Sequence, residues 1–132
     1  MSRLSERIEN FNNAYRMYDL AHSAYTNDKK NDINRLAIVQ AFEVVFELGW
    51  KVIKDYLAIQ GIEKYTPRDV IKSAFSANIL PNAQIWIDMS NDRNSSSHEY
   101  NQDKVNIILD KISTEYYDEI SRFKQGLEDF HE

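Results

Sequence analysis

Hydrophobic residues recur along this chain with the spacing of amphipathic helices. The first series follows steps of four and three and therefore forms one stripe, made of Leu4, Ile8, Phe11, Tyr15, Tyr18, His22 and Tyr25. A polar segment, 26–32, interrupts this series, and Asp32 is a suitable N-cap for a following helix. The pattern predicts a first helix whose stripe faces a core or a partner.

The middle of the chain predicts a long helix and a shorter one. Residues 33–60 are apolar over a wide face and are followed by Gly61, a typical residue just after a helix end. Thr66 and then Pro67 are typical of an N-cap and a first helical residue. We expect this third helix to end near Leu80, before the next proline.

The last third of the chain contains its most polar stretch, between two helical segments. A short helix after Pro81 leads into residues 91–101, which are rich in serine, asparagine and charge. Apolar positions from Val105 to Phe130 then follow a heptad-like spacing that predicts one long final helix. With no repeat or linker in residues 1–132, we predict a single domain of the all-α class, an antiparallel up-and-down bundle of four to five helices.

Composition narrows the classes of function. The 3 Gly and 2 Pro are too few for a many-stranded barrel or sandwich, and the absence of Cys excludes disulfides and thiolate chemistry. No leader or membrane-spanning segment is evident, so we expect a cytoplasmic protein with no membrane contact. The net charge of −5 differs from that of general nucleic-acid binders, so any contact with RNA requires a local site.

The polar stretch contains the residues best suited to chemistry: Arg93, Asn94, His98 and Tyr100. Arginine binds phosphate, histidine exchanges protons near neutral pH and tyrosine offers a hydroxyl. Such groups can support attack of an RNA 2′-hydroxyl on its own phosphate without a metal. Residues five apart on a regular helix lie about 140° from each other, so the segment must bend or two chains must combine. Alternatively, Arg93 and His98 only cap and solvate a helix junction.

A polar stripe on the second helix can support this segment. Gln40, Glu43, Glu47 and Lys51 follow steps of three, four and four, and the last two have the favourable order for an ion pair. The stripe is either an ordinary solvated face or the source of a carboxylate, from Glu43 or Glu47, that orients the arginine or histidine. No His, Asp and Glu triplet has ligand spacing, so we expect neither a metal nor another cofactor.

Three blocks of this sequence resemble a known family. Residues 40–57, residues 66–75 and the segment from Trp86 through 93–100 resemble the nucleotidyltransferase substrate-binding proteins of the HEPN superfamily, which are close to the HepT-type toxins. The resemblance implies a helical bundle, a homodimer and a cognate minimal nucleotidyltransferase as partner. In the toxin branch it also implies that two Arg-x4-His motifs meet in one cleft of the dimer.

The resemblance also assigns roles to individual residues. Arg93 and His98 match the metal-independent ribonuclease pair, and Asn94 matches the polar residue that follows the arginine. Tyr100 matches the tyrosine that the partner nucleotidyltransferase adenylylates to neutralise the toxin. We therefore expect an endoribonuclease toxin that acts on RNA and is silenced by AMP transfer.

Two other functions remain open at this point. One is a non-catalytic subunit that presents a nucleotide or another substrate to the nucleotidyltransferase. The other is a helical dimer that only binds its partner, through the apolar seams of the first and last helices.

Overall fold

The regular secondary structure of this chain is helical. The computed structural model describes residues 2–96 and 101–130, and these ranges contain no strand. The elements are α1 (Arg3–Asn27), α2 (Asp32–Ile59), α3 (Pro67–Ser76), α4 (Ala83–Ser96), α5 (Gln102–Ser113), α6 (Glu115–Gly126) and a 3-10 turn (Leu127–Asp129). The predicted all-α class is confirmed.

Most helix ends lie close to the predicted positions because local side chains cap them. The Thr66 hydroxyl accepts the backbone N–H of Asp69, and Pro67 is the first residue of α3, as expected. Gly61 follows α2 in the left-handed region at φ +86°. The N-cap of α2 is Asn31 rather than Asp32, since the Asn31 side chain accepts the backbone N–H at position 34.

The third helix is shorter than predicted. It ends at Ser76, and Asn78 adopts a left-handed φ of 61° that turns the chain. The backbone N–H of Ile79 then donates to the Ala74 carbonyl at 2.8 Å. This turn places Leu80 in the core, where it is 3% exposed. The chain therefore leaves the helix one turn earlier than the sequence predicts, and Leu80 is buried in the core instead of ending the helix.

The prediction of one long final helix is wrong, because α5 and α6 are separated at Thr114. The Thr114 hydroxyl donates to the Asp110 carbonyl at 2.7 Å, which closes the end of α5. Two side chains of α1 bind the last carbonyls of α5: the Tyr18 hydroxyl donates to that of Ile112, and the His22 ring to that of Ser113 at 2.8 Å. These hydrogen bonds satisfy carbonyls that a continuous helix would have paired internally.

Contacts between helices show the predicted antiparallel, up-and-down arrangement. Arg7 of α1 binds Asp55 near the end of α2, while the Asn34 side chain near the start of α2 donates to the Ala24 carbonyl. Tyr18 and Phe11 of α1 meet Ile112 and Phe123 in the reverse order, so the last two helices also run antiparallel to α1. The bundle prediction is confirmed, and the homodimer stays a prediction.

The core is rich in aromatic rings and includes the buried carboxylate of Glu119. Trp86 of α4 is fully buried and meets Phe123 edge to face at 5.1 Å between ring centres. Its indole N–H donates to Glu119, which is 5% exposed and also binds Arg122 at 3.3 Å. A Cβ at Gly49 would lie 3.3 Å from the ring of Phe11, so this glycine permits the close packing of α1 on α2.

The apolar seams of the first and last helices face this core. Their members include Leu4, Phe11, Tyr18, Ile112 and Phe123, each less than a tenth exposed. They are therefore unavailable to a partner, and the alternative that relied on them as binding surfaces has no support in this fold.

Candidate active-site groove

Arg93 lies on the face of α4 that packs on the bundle, and this determines its direction. Trp86 and Met89, seven and four residues earlier, share that face and are fully buried. The Arg93 guanidinium therefore points towards α2, where its Nη2 atom lies 2.9 Å from Oε2 of Glu47. The structure thus brings together two residues that the sequence placed in separate motifs.

Glu47 is held by three donors from two helices. Besides Arg93, the Trp50 indole N–H donates to the same carboxylate at 3.1 Å, and the Lys51 ammonium lies 3.3 Å away. Partial burial opposes ionisation of Glu47, but the Trp50 hydrogen bond and the charges of Arg93 and Lys51 outweigh it and hold its pKa below the ordinary value. The carboxylate therefore stays charged at neutral pH and forms an ion pair with the guanidinium.

Trp50 is a site residue that the sequence reasoning did not single out. It is only 7% exposed, and its ring belongs to the hydrophobic core. The three-residue spacing from Glu47 on one helix was the available signal, because such pairs are neighbours on a helix surface. An aromatic ring by itself indicates a core position, which accounts for the burial of Trp50 but not for its hydrogen bond.

An open groove of about 290 Å³ surrounds this ion pair. Its lining residues are Gln40, Glu43, Val44, Glu47, Leu48 and Arg93. Most of the polar stripe predicted on the second helix therefore lies beside Arg93. The predicted ion pair between Glu47 and Lys51 is present, whereas an orienting role for Glu43 or Glu47 stays a prediction.

Of the remaining predicted site residues, the structure describes Asn94 but not His98 and Tyr100. Asn94 is exposed, and its side-chain oxygen accepts a hydrogen bond from Arg93 at 3.4 Å. His98 and Tyr100 lie outside the described residues, so their positions relative to Arg93 stay predictions. Within the described residues, the structure accordingly brings Arg93, Asn94 and Glu47 together.

The turn of α4 that carries Arg93 is anchored on its other side by Asp92. The Tyr116 hydroxyl of α6 donates to Asp92, and the Lys111 ammonium of α5 lies 4.0 Å from the same carboxylate. Burial, the hydrogen bond to Asp92 and its charge all raise the pKa of Tyr116, which stays a neutral donor. Arg93 is therefore presented from a turn fixed by three helices.

A second, apolar groove of about 540 Å³ adjoins the first between α1 and α2. Its lining residues are Ala14, Met17, Leu20, Ala21, Ala37, Gln40, Ala41 and Val44, of which Gln40 and Val44 also line the Arg93 groove. Large apolar side chains stay in solvent here, with Leu20 61% and nearby Leu36 of α2 73% exposed. Contiguous exposed apolar surface of this kind is typical of an interaction site.

The described residues contain neither a candidate metal site nor a candidate membrane span. In 2–96 and 101–130 no group of three or more His, Asp or Glu side chains is placed to hold a metal ion. None of the helices in the same ranges combines the length and the apolar character needed to cross a membrane.

Comparison with known proteins assigns this chain to a family. Residues 6–129 match the family described as "Nucleotidyltransferase substrate binding protein like". The chain is also 28% identical over 79 residues to "Probable ribonuclease HepT" of Haemophilus influenzae, an alignment that covers 56% of this chain and 54% of that protein. The chain thus spans about half the length of this curated relative. Since the family match covers nearly every helix of the bundle, this chain belongs to the nucleotidyltransferase substrate-binding-protein-like family.

Proposed function

We propose that this chain is a HepT-like endoribonuclease that cleaves RNA without a metal and acts as the toxin of a toxin–antitoxin pair. The observation that carries the proposal is the guanidinium of Arg93, held 2.9 Å from Glu47 in an open groove. A fixed guanidinium is a suitable binding group for a phosphodiester, because its planar fork matches two phosphate oxygens. The relative named as a probable ribonuclease supports the same reaction class.

The proposed reaction is an internal transfer within the RNA. The 2′-hydroxyl oxygen forms a bond to the adjacent phosphorus while the bond from phosphorus to the 5′-oxygen breaks, leaving a 2′,3′-cyclic phosphate and a 5′-hydroxyl. His98 accepts the proton of the 2′-hydroxyl and then donates it to the leaving 5′-oxygen. Arg93 stabilises the charge that develops on the phosphoryl oxygens, and Asn94 assists as a polar neighbour.

The active unit that we propose is a homodimer formed through the apolar groove between α1 and α2. This groove shares Gln40 and Val44 with the Arg93 groove, so a second copy seated there would bring two Arg93 side chains towards one cleft. Exposed Met17, Leu20 and Leu36 supply the apolar surface that such an interface buries. Two copies would also overcome the angular separation of Arg93 and His98 along a single helix.

Regulation by a cognate minimal nucleotidyltransferase completes the proposal. The Tyr100 hydroxyl oxygen would attack the α-phosphate of a nucleoside triphosphate, losing its proton and releasing pyrophosphate. The adenylyl group would add negative charge and bulk close to Arg93 in sequence. RNA phosphate would then compete with a covalently attached phosphate for the same guanidinium.

The test is induced expression of the wild-type chain beside Arg93→Ala and His98→Ala, with growth and RNA integrity followed together. Arg16→Ala is the matched control, since Arg16 is an exposed arginine of α1 outside both grooves. We expect arrest and fragments with 2′,3′-cyclic phosphate ends from the wild type and the control only. Tyr100→Phe should stay toxic when the nucleotidyltransferase is present.

One result would refute the ribonuclease proposal. If the wild-type chain is soluble and folded but neither arrests growth nor cleaves RNA, the Arg93 groove serves another ligand. The family description would then favour a non-catalytic subunit that presents a nucleotide or other substrate to the nucleotidyltransferase. Nucleotide binding that is lost in Arg93→Ala would identify that function.

A further inference from the structure

The open face of α2 continues beyond the Arg93 groove towards the end of the helix. Lys51 and Lys54 follow Glu47 by four and seven residues, so all three side chains lie on one face. We propose that this stretch, with Tyr65 beside it, binds a single RNA strand as it leaves the groove. We call Lys51, Lys54 and Tyr65 the strand path. The inference rests on the proposed function and specifies how the enzyme holds substrate beyond the scissile phosphate.

The first argument is spacing along the helix. At 1.5 Å of rise per residue, the backbone positions of Lys51 and Lys54 lie about 6 Å and about 10.5 Å beyond that of Glu47. Arg93 sits at the level of Glu47, to which it is bound at 2.9 Å. The Lys51 ammonium reaches back to the same carboxylate, at 3.3 Å. Arg93 and Lys51 therefore form one cationic position and Lys54 a second one further along α2, where the next phosphate of an extended strand can bind.

The second argument is the local charge. Arg93 and Glu47 together are neutral, and Lys51, 3.3 Å from the same carboxylate, makes the group of three positive. The next acidic residue, Asp55, is neutralised by Arg3 at 3.4 Å and Arg7 at 2.9 Å. Glu43 in the groove and Glu63 beside Tyr65 add two negative charges, and Lys54 adds a positive one. This surface therefore has a charge close to zero or slightly positive in a chain whose net charge is −5, so it repels phosphate less than the chain as a whole.

The third argument is the exposed ring at the end of the path. Tyr65 is 70% exposed, and the Lys54 ammonium lies 5.7 Å from its ring centre. Its hydroxyl donates to Glu63 at 3.1 Å, which orients the ring. An aromatic ring next to a cation is the combination that single-stranded nucleic acid recognises, because bases stack on the ring and phosphates bind the cation.

The two halves of α2 differ in the ligand that they suit. The amino-terminal half contributes Ala37, Ala41 and Val44 to the apolar groove, where a second copy is proposed to bind. The carboxyl-terminal half carries Lys51 and Lys54 instead. A strand on the carboxyl-terminal half therefore leaves the apolar half free for the dimer.

The experiment compares two substrates: a single-stranded RNA of about twelve nucleotides and a dinucleotide that has one phosphodiester. The longer RNA is within the range of site sizes known for proteins that bind single-stranded nucleic acid. The measured quantity is the ratio of kcat/KM for the two RNAs in Lys54→Ala and Tyr65→Ala. Lys30→Ala is the matched control, since Lys30 is exposed in the loop before α2, at the far end of that helix. We expect Tyr65→Ala to lower the ratio about tenfold through lost stacking. Lys54→Ala should reduce the slope of log affinity against log salt by about 0.7.

The outcomes separate this inference from the proposed function. If the wild type cleaves both RNAs and the ratio in both path variants equals that of Lys30→Ala, the strand path is refuted while the ribonuclease stands. If the wild type cleaves neither RNA, the ribonuclease is refuted, and binding of the longer RNA by fluorescence anisotropy tests the path alone. Weaker binding in Lys54→Ala and Tyr65→Ala but not in Lys30→Ala then supports the strand path. Equal binding in all three variants overturns the strand path.

Discussion

The carboxylate of Glu47 links the predicted active segment to α2, and its replacement by glutamine tests that link directly. Glu47→Gln keeps the size and shape of the side chain and removes only its charge. Arg93 at 2.9 Å, Trp50 at 3.1 Å and Lys51 at 3.3 Å would then share a neutral amide with a single acceptor oxygen. We expect the chain to stay folded, with Arg93 less firmly held.

The size of the effect follows from the exposure of the pair. Hydrogen bonds to a charged group contribute about 1.5–3 kcal/mol when well shielded. The side chains of Arg93 and Glu47 are 35% and 28% exposed, so solvent screening reduces this contribution towards that of a surface pair. The indole of Trp50 can still donate to the amide oxygen. We therefore expect Glu47→Gln to lower the free energy of unfolding by about 1 kcal/mol at neutral pH.

The dependence on pH distinguishes this charge effect from a loss of packing. The pKa of Glu47 is lower in the folded than in the unfolded chain, so its contribution is present above the unfolded value of about 4.3 and is lost as the pH falls through the folded pKa. Below that pH the protonated carboxyl resembles glutamine. The difference between wild type and Glu47→Gln should therefore be constant near neutral pH and disappear in acid.

The assay is urea unfolding at a series of pH values, followed by tryptophan fluorescence and circular dichroism. Glu9→Gln removes one charge from an exposed position of α1 and serves as the control. The reasoning is refuted if Glu47→Gln costs no more than this control at neutral pH. It is also refuted if the cost persists unchanged in acid, because a lost charge cannot account for that.

Three further substitutions test the core, a turn and the proposed interface. Trp86→Phe removes the indole donor of buried Glu119 and leaves a cavity. It should therefore lower the free energy of unfolding, measured in urea, by about 3 kcal/mol, and a loss below about 1 kcal/mol would contradict this. Gly61→Ala meets no atom within 4 Å but must adopt φ +86°, so it should cost about 1 kcal/mol in the same assay, and no cost would contradict that reason. Leu20→Glu places a charge in the apolar groove and should convert a dimer to a monomer in light scattering, whereas a wild-type monomer or a dimeric variant would refute the interface.

Helix boundaries that depend on local interactions were predictable from the order of residues. Thr66 and Pro67 start α3 because the cap and the ring act on their own backbone, and Gly61 follows α2 because it tolerates a positive φ. The same locality explains the correct prediction of the ion pair between Glu47 and Lys51, which lie one turn apart on one helix. Distances within a helix follow directly from residue spacing.

The break between α5 and α6 and the partner of Arg93 were decided by contacts between helices. The heptad-like seam continues through Thr114, and the hydrogen bonds from Tyr18 and His22 of α1 add to the local bond of Thr114 to make an interruption there favourable. Likewise, the polar stripe offered Glu43 and Glu47 equally, and the packing of Trp86 in the core aligns α4 so that Arg93 contacts Glu47. Residue spacing defines which side chains share a face, but the crossing of two helices defines which faces meet, and that depends on how the whole core packs.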